Sequence, residues 1–298
     1  EEAAAELDRY LTFLRTCSAW WYADHSFGNQ DLEKWTSCSE IRHVLETKDH
    51  VTICVESKER TWELMIYPVV GGFRMIAGKK GFFDGKPEAF SMEESEHAYI
   101  IRSKEHEMIL QKETLEISID RKAITNLKNI SFIFEKESVS ASRIQFSIHE
   151  NSAIYGFGER FDSVNQYGKT VALWQRDACE GCLASIGNQA YKNIPLVHTS
   201  DGFSFFANTS YRMRMDVGDA VQDYLSVEAL GDVFDFYIWS GTPREAMTAY
   251  GTLTGLPIFP PEWVFEPWAG GGGGRWRNGP LQDLSLIHIS EPTRHAQI

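Results

Sequence analysis

The densest run of residues able to hold a substrate lies between Tyr155 and Pro195. It reads YGFGERF, then NQYGK, WQRD and GNQAYKNIP. Gly156 and Gly158 flank Phe157 and permit tight backbone bends. Glu159 beside Arg160 offers an ion pair. Trp174 offers an aromatic face, and Arg176 and Asp177 offer donors and acceptors. A sugar ring needs both kinds of partner, because it has an apolar CH face and a rim of hydroxyls. Each group also has a plainer reading. Glu159–Arg160 is better taken as a structural ion pair at a strand end, as most close ion pairs are. Trp174 is balanced between core packing and sugar contact. Arg176-Asp177 weighs toward function over a solvated turn, since loops carry function.

Other reactive groups along the chain carry less. Cys179 and Cys182 form a C-x-x-C, but no second ligand pair with metal spacing and no βαβ context accompanies it, so free loop thiols are the preferred reading. His198 follows an apolar run and reads as packed or surface-exposed. Asp216, Asp219, Asp232 and Asp235 invite a carboxylate-pair reading; turn contexts at Asp219 and Asp232 argue against it. Glu93-Glu94-Ser95-Glu96 reads as a solvated turn.

These groups sit in a chain of 298 residues with net charge -13, 43% hydrophobic and 13% aromatic residues. A sizeable core is affordable and global disorder is excluded. The acidic surface repels phosphate backbones and anionic lipids, so neither nucleic acid nor membrane is expected as a partner, while a neutral oligosaccharide is compatible. No stretch approaches the apolar length of a membrane span. Five cysteines, an odd and sparse set, favour a reducing, cytoplasmic setting, although the absence of an initial Met leaves the N-terminus open.

Residues 3–22 carry helical spacing, and residues 1–45 are expected as a helical segment running into loop. From residue 46 to 241 the pattern is period two. HVTICVES, TWELMIYPVV, GGFRMIAG, TLEISID, ISFIFEK and DFYIW are short runs rich in Ile, Val, Phe and Tyr between turn residues. That pattern predicts an all-β sandwich or barrel. Thr242-Pro243-Arg244-Glu245 then reads as a capping box opening a helix that Gly255 stops. Pro257, Pro260 and Pro261 stiffen a connector, and Trp263–Trp268 is expected as one short buried strand. Residues 270–298 hold a five-glycine run and SLIHISEPTRHAQI, which resembles translated sequencing-adaptor sequence and is expected to be artefactual.

YGFGERF, LWQRD, AYKNIP, FANTS and TPREAMTAYGTLTGLPIFPPEWVFEPW occur in the order found in glycoside hydrolase family 31, and the chain resembles that family best over Asn151–Trp268. GNQAYKNIP after WQRD is most similar to the α-xylosidase branch. The resemblance implies a galactose-mutarotase-like β-sandwich followed by a (β/α)8 barrel, with VFEPW at residues 264–268 as the first barrel strand and residues 242–269 as the connection into it. It implies a retaining α-glycosidase without cofactor or metal, acting on α-xylosides or α-glucosides. Both catalytic aspartates of the family belong to later barrel strands, so the chain is expected to be an N-terminal fragment, inactive alone. Arg176 and Asp177, with Trp174, are the positions implied to approach the sugar. Homo-oligomerisation of the parent stays open. The alternative is a stand-alone carbohydrate-binding or scaffolding sandwich.

Overall fold

The computed structural model of the chain describes residues 35–57, 60–175 and 190–266. The helix expected over residues 3–22, and residues 267–298, lie outside the described residues. Where the sequence alternates, the chain is strand. In chain order the strands are β1 (Thr36–Ser37), β2 (Glu40–Glu46), β3 (Val51–Glu56), β4 (Thr61–Val69), β5 (Gly72–Gly78), β6 (Ser91–Glu94), β7 (Ala98–Arg102), β8 (Glu107–Gln111) and β9 (Glu116–Ile119). They continue as β10 (Lys122–Glu135), β11 (Ser138–Ser147), β12 (Ile154–Gly158), β13 (Lys169–Leu173), β14 (Asn193–Thr199), β15 (Phe203–Ala207), β16 (Met213–Val217), β17 (Tyr224–Leu230) and β18 (Val233–Ser240). Helix α1 (Pro243–Thr254) follows.

Two antiparallel sheets form a sandwich. One runs β12-β14-β15-β18-β5-β4-β3-β2; the other runs β13-β16-β17-β11-β10-β9-β8-β7-β6, with β1 paired to β10. The core lies between their inner faces. Phe146 of β11 stacks on Phe205 of β15 with ring centroids 4.5 Å apart, and Phe132 meets Phe234 edge to face at 5.4 Å. Each fully buried Phe or Ile contributes about 1.5–3 kcal/mol relative to exposure.

The eight-stranded sheet has a seam. Strands β2 to β5 come from the N-terminal half and β12, β14, β15 and β18 from the C-terminal half, and among the described residues the two halves of this sheet join where β5 pairs with β18. All eight residues of β18 are buried, so both its faces are covered. Phe234, Phe236 and Ile238 enter the sandwich core. Tyr237 and Trp239 face outward, against Ala246 and Ala249 of α1. Asp235 also points outward, beneath the segment after β5. Its carboxylate accepts two hydrogen bonds from the Arg74 guanidinium, Nε to Oδ1 at 2.8 Å and Nη2 to Oδ2 at 2.7 Å. The Gly81 N–H and the Asn208 amide each donate to Oδ2 at 2.8 Å. Arg74 also reaches Asp84 and donates to the Phe83 carbonyl at 3.0 Å.

The structure corrects three expectations. Residues 36–37 and 40–46 are strands, not part of a helical or looped segment. A bulge between Ile41 and His43 explains why: Ile41 and Val44 sit three apart, a helical spacing, yet both face the core because the bulge inserts an extra residue. Second, Trp263 to Phe265, expected in a buried strand, lie in a 3-10 helix over Glu262–Phe265. Among the described residues no strand pairs with it. A strand without a neighbour leaves its ladder unsatisfied, whereas this single turn bonds Val264 N–H to Pro261 O and Glu266 N–H to Trp263 O. Third, α1 packs on the sandwich rather than forming part of a separate connector. The first compact unit runs through Gly255 and the second begins at Leu256. The capping box forms as written, with Thr242 and Glu245 bonded reciprocally, and Gly255 closes the helix at φ 89°.

The seam makes a stability prediction. Asp235→Ala leaves a buried guanidinium without its main counter-charge, so urea unfolding should show a loss of about 3–5 kcal/mol. The exposed Lys79–Asp232 pair, 3.4 Å apart, should cost under about 1 kcal/mol when Lys79 is replaced by Ala.

Candidate functional site

Strands β12 and β13 are edge strands, one of each sheet, and the candidate residues are strung between and just beyond them. YGFG forms an irregular edge. Two steps along β12, Gly156 to Gly158, pair with four along β14, Val197 to Asn193. Phe157 is forced to φ 68° and its ring is fully buried in the core. A left-handed conformation is costly for a residue with a side chain, and the buried ring offsets that cost. Gly156 and Gly158 have φ 112° and 83°, and a Cβ on either would lie 2.2 Å from Leu196 O or 2.0 Å from Lys192 O. The two glycines are therefore required by both conformation and space.

Arg160 turns back under this bulge. Its Nη2 donates to Phe157 O at 3.1 Å and to Asn193 Oδ1 at 2.6 Å, and burial pushes its pKa down to about 10. Asn193, itself buried, passes the contact on. Its Nδ2 donates to Ala190 O at 2.9 Å, and its carbonyl accepts from Gln175 Nε2 at 3.2 Å. Gln175 and Ala190 form an isolated parallel bridge. One buried asparagine thus ties both residues that flank segment 176–189. Glu159 does not partner Arg160 as expected; its nearest cation is Lys192 Nζ at 3.9 Å, and its N–H bonds Lys192 O.

Trp174 stands at the edge of this frame, 42% exposed, with the Arg212 guanidinium 6.0 Å from its ring centroid. Its balance between core and contact residue therefore resolves to an exposed indole. Arg176 and Asp177, and the C-x-x-C at Cys179 and Cys182, lie outside the described residues. Asn193 and Gln175 stand inside the quoted motifs, but no pattern marks a buried asparagine; its role follows from pairing across 18 residues.

The remaining candidates are structural. His198 Nδ1 is 2.9 Å from the Ser204 hydroxyl across the β14–β15 pair, burial lowers its pKa, and Ser204 is buried on the outer face, which it shares with Phe206. Asp216 accepts from the Asp219 and Ala220 N–H groups and so closes a turn. Asp232 meets Lys79 and Tyr211, and Asp235 is committed to Arg74. Among the described residues no group of three or more His, Cys, Asp or Glu could hold a metal ion. The groups that the described frame brings together are hydrogen-bond donors, acceptors and an exposed indole.

A family model described as the glycosyl hydrolase 31 N-terminal galactose mutarotase-like domain matches residues 46–216. The chain is 34% identical over 131 residues to the α-xylosidase XylQ of Lactiplantibacillus pentosus, covering 44% of this chain and 16% of that protein. To an α-xylosidase of Emericella nidulans it is 26% identical over 136 residues, covering 45% and 16%. The match therefore spans about a sixth of the length of these curated relatives. Among solved structures, a cycloalternan-forming enzyme from Listeria monocytogenes in complex with a pentasaccharide superposes with TM-score 0.69 at 19% identity, covering 78% of this chain and 23% of that one. A soil-metagenome α-xylosidase complexed with xylose gives TM-score 0.57 at 15% identity, covering 73% and 35%. At these identities the superpositions speak to the fold.

Two measurements check the frame. Gly158→Ala should destabilise the chain by more than about 1 kcal/mol in urea unfolding, because the position is both left-handed and filled. Asp162 supports Lys169 at the base of β13, with Nζ to Oδ2 at 2.6 Å. Burial pushes its carboxyl up, but hydrogen bonds from Lys169, Gln166 and the Ser163 backbone outweigh that and hold it at about 2. A depressed carboxyl stabilises the fold above its ordinary value of 3.8 and loses that contribution as pH falls toward 2. The melting-temperature gap between wild type and Lys169→Met should accordingly be constant above about pH 5 and close between pH 4 and 2.

Proposed function

We propose a function from one premise: the chain belongs to the glycosyl hydrolase 31 N-terminal galactose mutarotase-like domain family. It is the sandwich domain of a retaining α-glycosidase that removes terminal α-linked xylose or glucose from oligosaccharides. The observation that carries this reading is the tie made by Asn193, which fixes both flanks of segment 176–189 beside the exposed Trp174. Asp177 accepts hydrogen bonds from the hydroxyls of the sugar next to the cleavage point. Arg176 orients that carboxylate or donates beside it, and Trp174 covers an apolar CH face.

Retaining hydrolysis needs two carboxyls about 5 Å apart, one as nucleophile and one as acid then base. In this reading those groups belong to the barrel of the parent enzyme, and the 298-residue chain alone shapes the substrate without cleaving it. The α-xylosidase relatives favour xylose over glucose as the sugar. Buried free thiols at Cys38 and Cys54 support a reducing, cytoplasmic location.

The test has two arms. The chain alone, prepared free of host glycosidase, should not hydrolyse aryl α-xyloside or α-glucoside; turnover abolished by Asp177→Ala would overturn the assignment of chemistry to the barrel. Grafted in place of the sandwich of the L. pentosus α-xylosidase, the same domain should support α-xyloside hydrolysis. In that chimera Asp177→Ala should lower kcat/KM about ten- to a hundredfold, the range of one hydrogen bond to a charged group. An unaltered kcat/KM would remove Asp177 from the site.

A further inference from the structure

A cavity lies on the outer face of the eight-stranded sheet and shares no residue with the 155–195 region. It has a volume of about 390 Å³, within the range of small-molecule sites. Its floor is the outward-facing pair Tyr237 and Trp239 of β18, stacked with centroids 5.9 Å apart. Val69 closes one side, Ala249 and Leu253 of α1 another, and the segment Asp84–Lys86 forms the rim.

The polar groups at this cavity are of mixed kind, and not all are free. The Tyr237 hydroxyl is spent, accepting from the Gly85 N–H at 3.0 Å and lying 3.3 Å from the Phe83 carbonyl. The Asp84 carboxylate is held in place by Arg74 through Oδ1, and its Oδ2 lies 4.0 Å from Lys80 Nζ, so it offers the cavity only the lone pairs that this loose contact leaves. Lys86 brings an ammonium donor, and the exposed Thr252 hydroxyl, which donates to the Thr248 carbonyl at 3.0 Å, can still accept. Trp239 and Tyr237 are only 2% and 1% exposed, so they form an apolar floor and the polar groups belong to the rim. An anion would meet Asp84 and a cation would meet Lys86. What suits accepting oxygens at Asp84 and Thr252, an ammonium at Lys86 and an apolar floor together is a neutral ring whose hydroxyls each donate and accept, with CH groups turned to the apolar walls.

We propose that this cavity is a non-catalytic pyranose-binding site, distinct from the Trp174–Asp177 region. Its rim is preorganised by the same Arg74–Asp235 pair that joins the two halves of the sheet, so binding requires little ordering of the protein.

The experiment is a titration of the isotopically labelled 298-residue chain with D-xylose and with methyl α-glucoside, read by amide chemical shifts. Saturable shifts are expected at Gly85, Lys86 and Leu253. Lys86→Met and Thr252→Phe, at exposed positions, should keep the wild-type melting temperature and weaken binding at least tenfold. Open-chain xylitol should not saturate the site. The Arg176→Ala, Asp177→Ala double variant should bind as wild type, so the result is independent of the glycosidase reading. Absence of saturable shifts, equal affinity in both rim variants, or equal binding of xylitol would each overturn the proposal.

Discussion

Arg74 and Asp235 lie 161 residues apart and meet diagonally across the β5–β18 pairing, which joins the two halves of the eight-stranded sheet. In register, Arg74 sits opposite Tyr237 and Asp235 opposite Ile76, so the charges span neighbouring rungs on the outward face. A bidentate pair at this place does more than neutralise two buried charges. Two further donors, the Gly81 N–H and the Asn208 amide, complete the carboxylate, and Asp84 and the Phe83 carbonyl complete the guanidinium. The segment after β5 is thereby laid over β18, and it can lie there only if β5 and β18 are in this register. A slip of one residue would turn the charges into the Phe-rich core and the phenylalanines out. The pair therefore specifies register, at a desolvation cost that its complete set of hydrogen bonds offsets.

The opposite end of the same sheet is governed by space rather than charge. At β12 the chain must shed two residues of β14 from the ladder while sending Phe157 inward, and only glycines on both sides allow the backbone to pass Leu196 O and Lys192 O. The bulge turns the Phe157 carbonyl toward Arg160, Arg160 takes Asn193, and Asn193 takes the flanks of segment 176–189. Gln175 and Ala190, the described residues on either side of 176–189, are thus tied to the core through one ring and one asparagine.

Much of this architecture was legible in the sequence, and the exceptions have physical causes. Period-two runs from Val51 to Trp239 became strands because one face of each could be buried in the sandwich. The capping box at Thr242 was legible because caps are local. Strand β2 was hidden by its bulge, which gives Ile41 and Val44 a helical spacing. Trp263–Phe265 carries a strand composition, but a strand is a property of a pair, and composition does not say whether a partner exists. At the candidate site, the residue types were readable and the connections were not: Trp174 was equally compatible with burial, and Asp235 resembled any turn aspartate until Arg74 arrived from the other half of the chain.

The two-sided burial of β18 links these features. Its inner face supplies Phe234, Phe236 and Ile238 to the core, while Asp235, Tyr237 and Trp239 alternate with them on the outside. An edge or single-faced strand would expose that second row; here a helix and a rim segment must cover it. The cover is close where Gly71 and Ala249 meet, since a Cβ at Gly71 would lie 3.2 Å from both Ala249 Cβ and Trp239 Cδ1. It is open where the rim carries Gly85 and the charged pair Asp84 and Lys86. A lid built only to bury aromatics would close over them with apolar side chains, as core packing favours. Tyr237 and Trp239 are nonetheless only 1% and 2% exposed, so the carboxylate and the ammonium stand at the margin of a row that α1 and the rim segment have already covered.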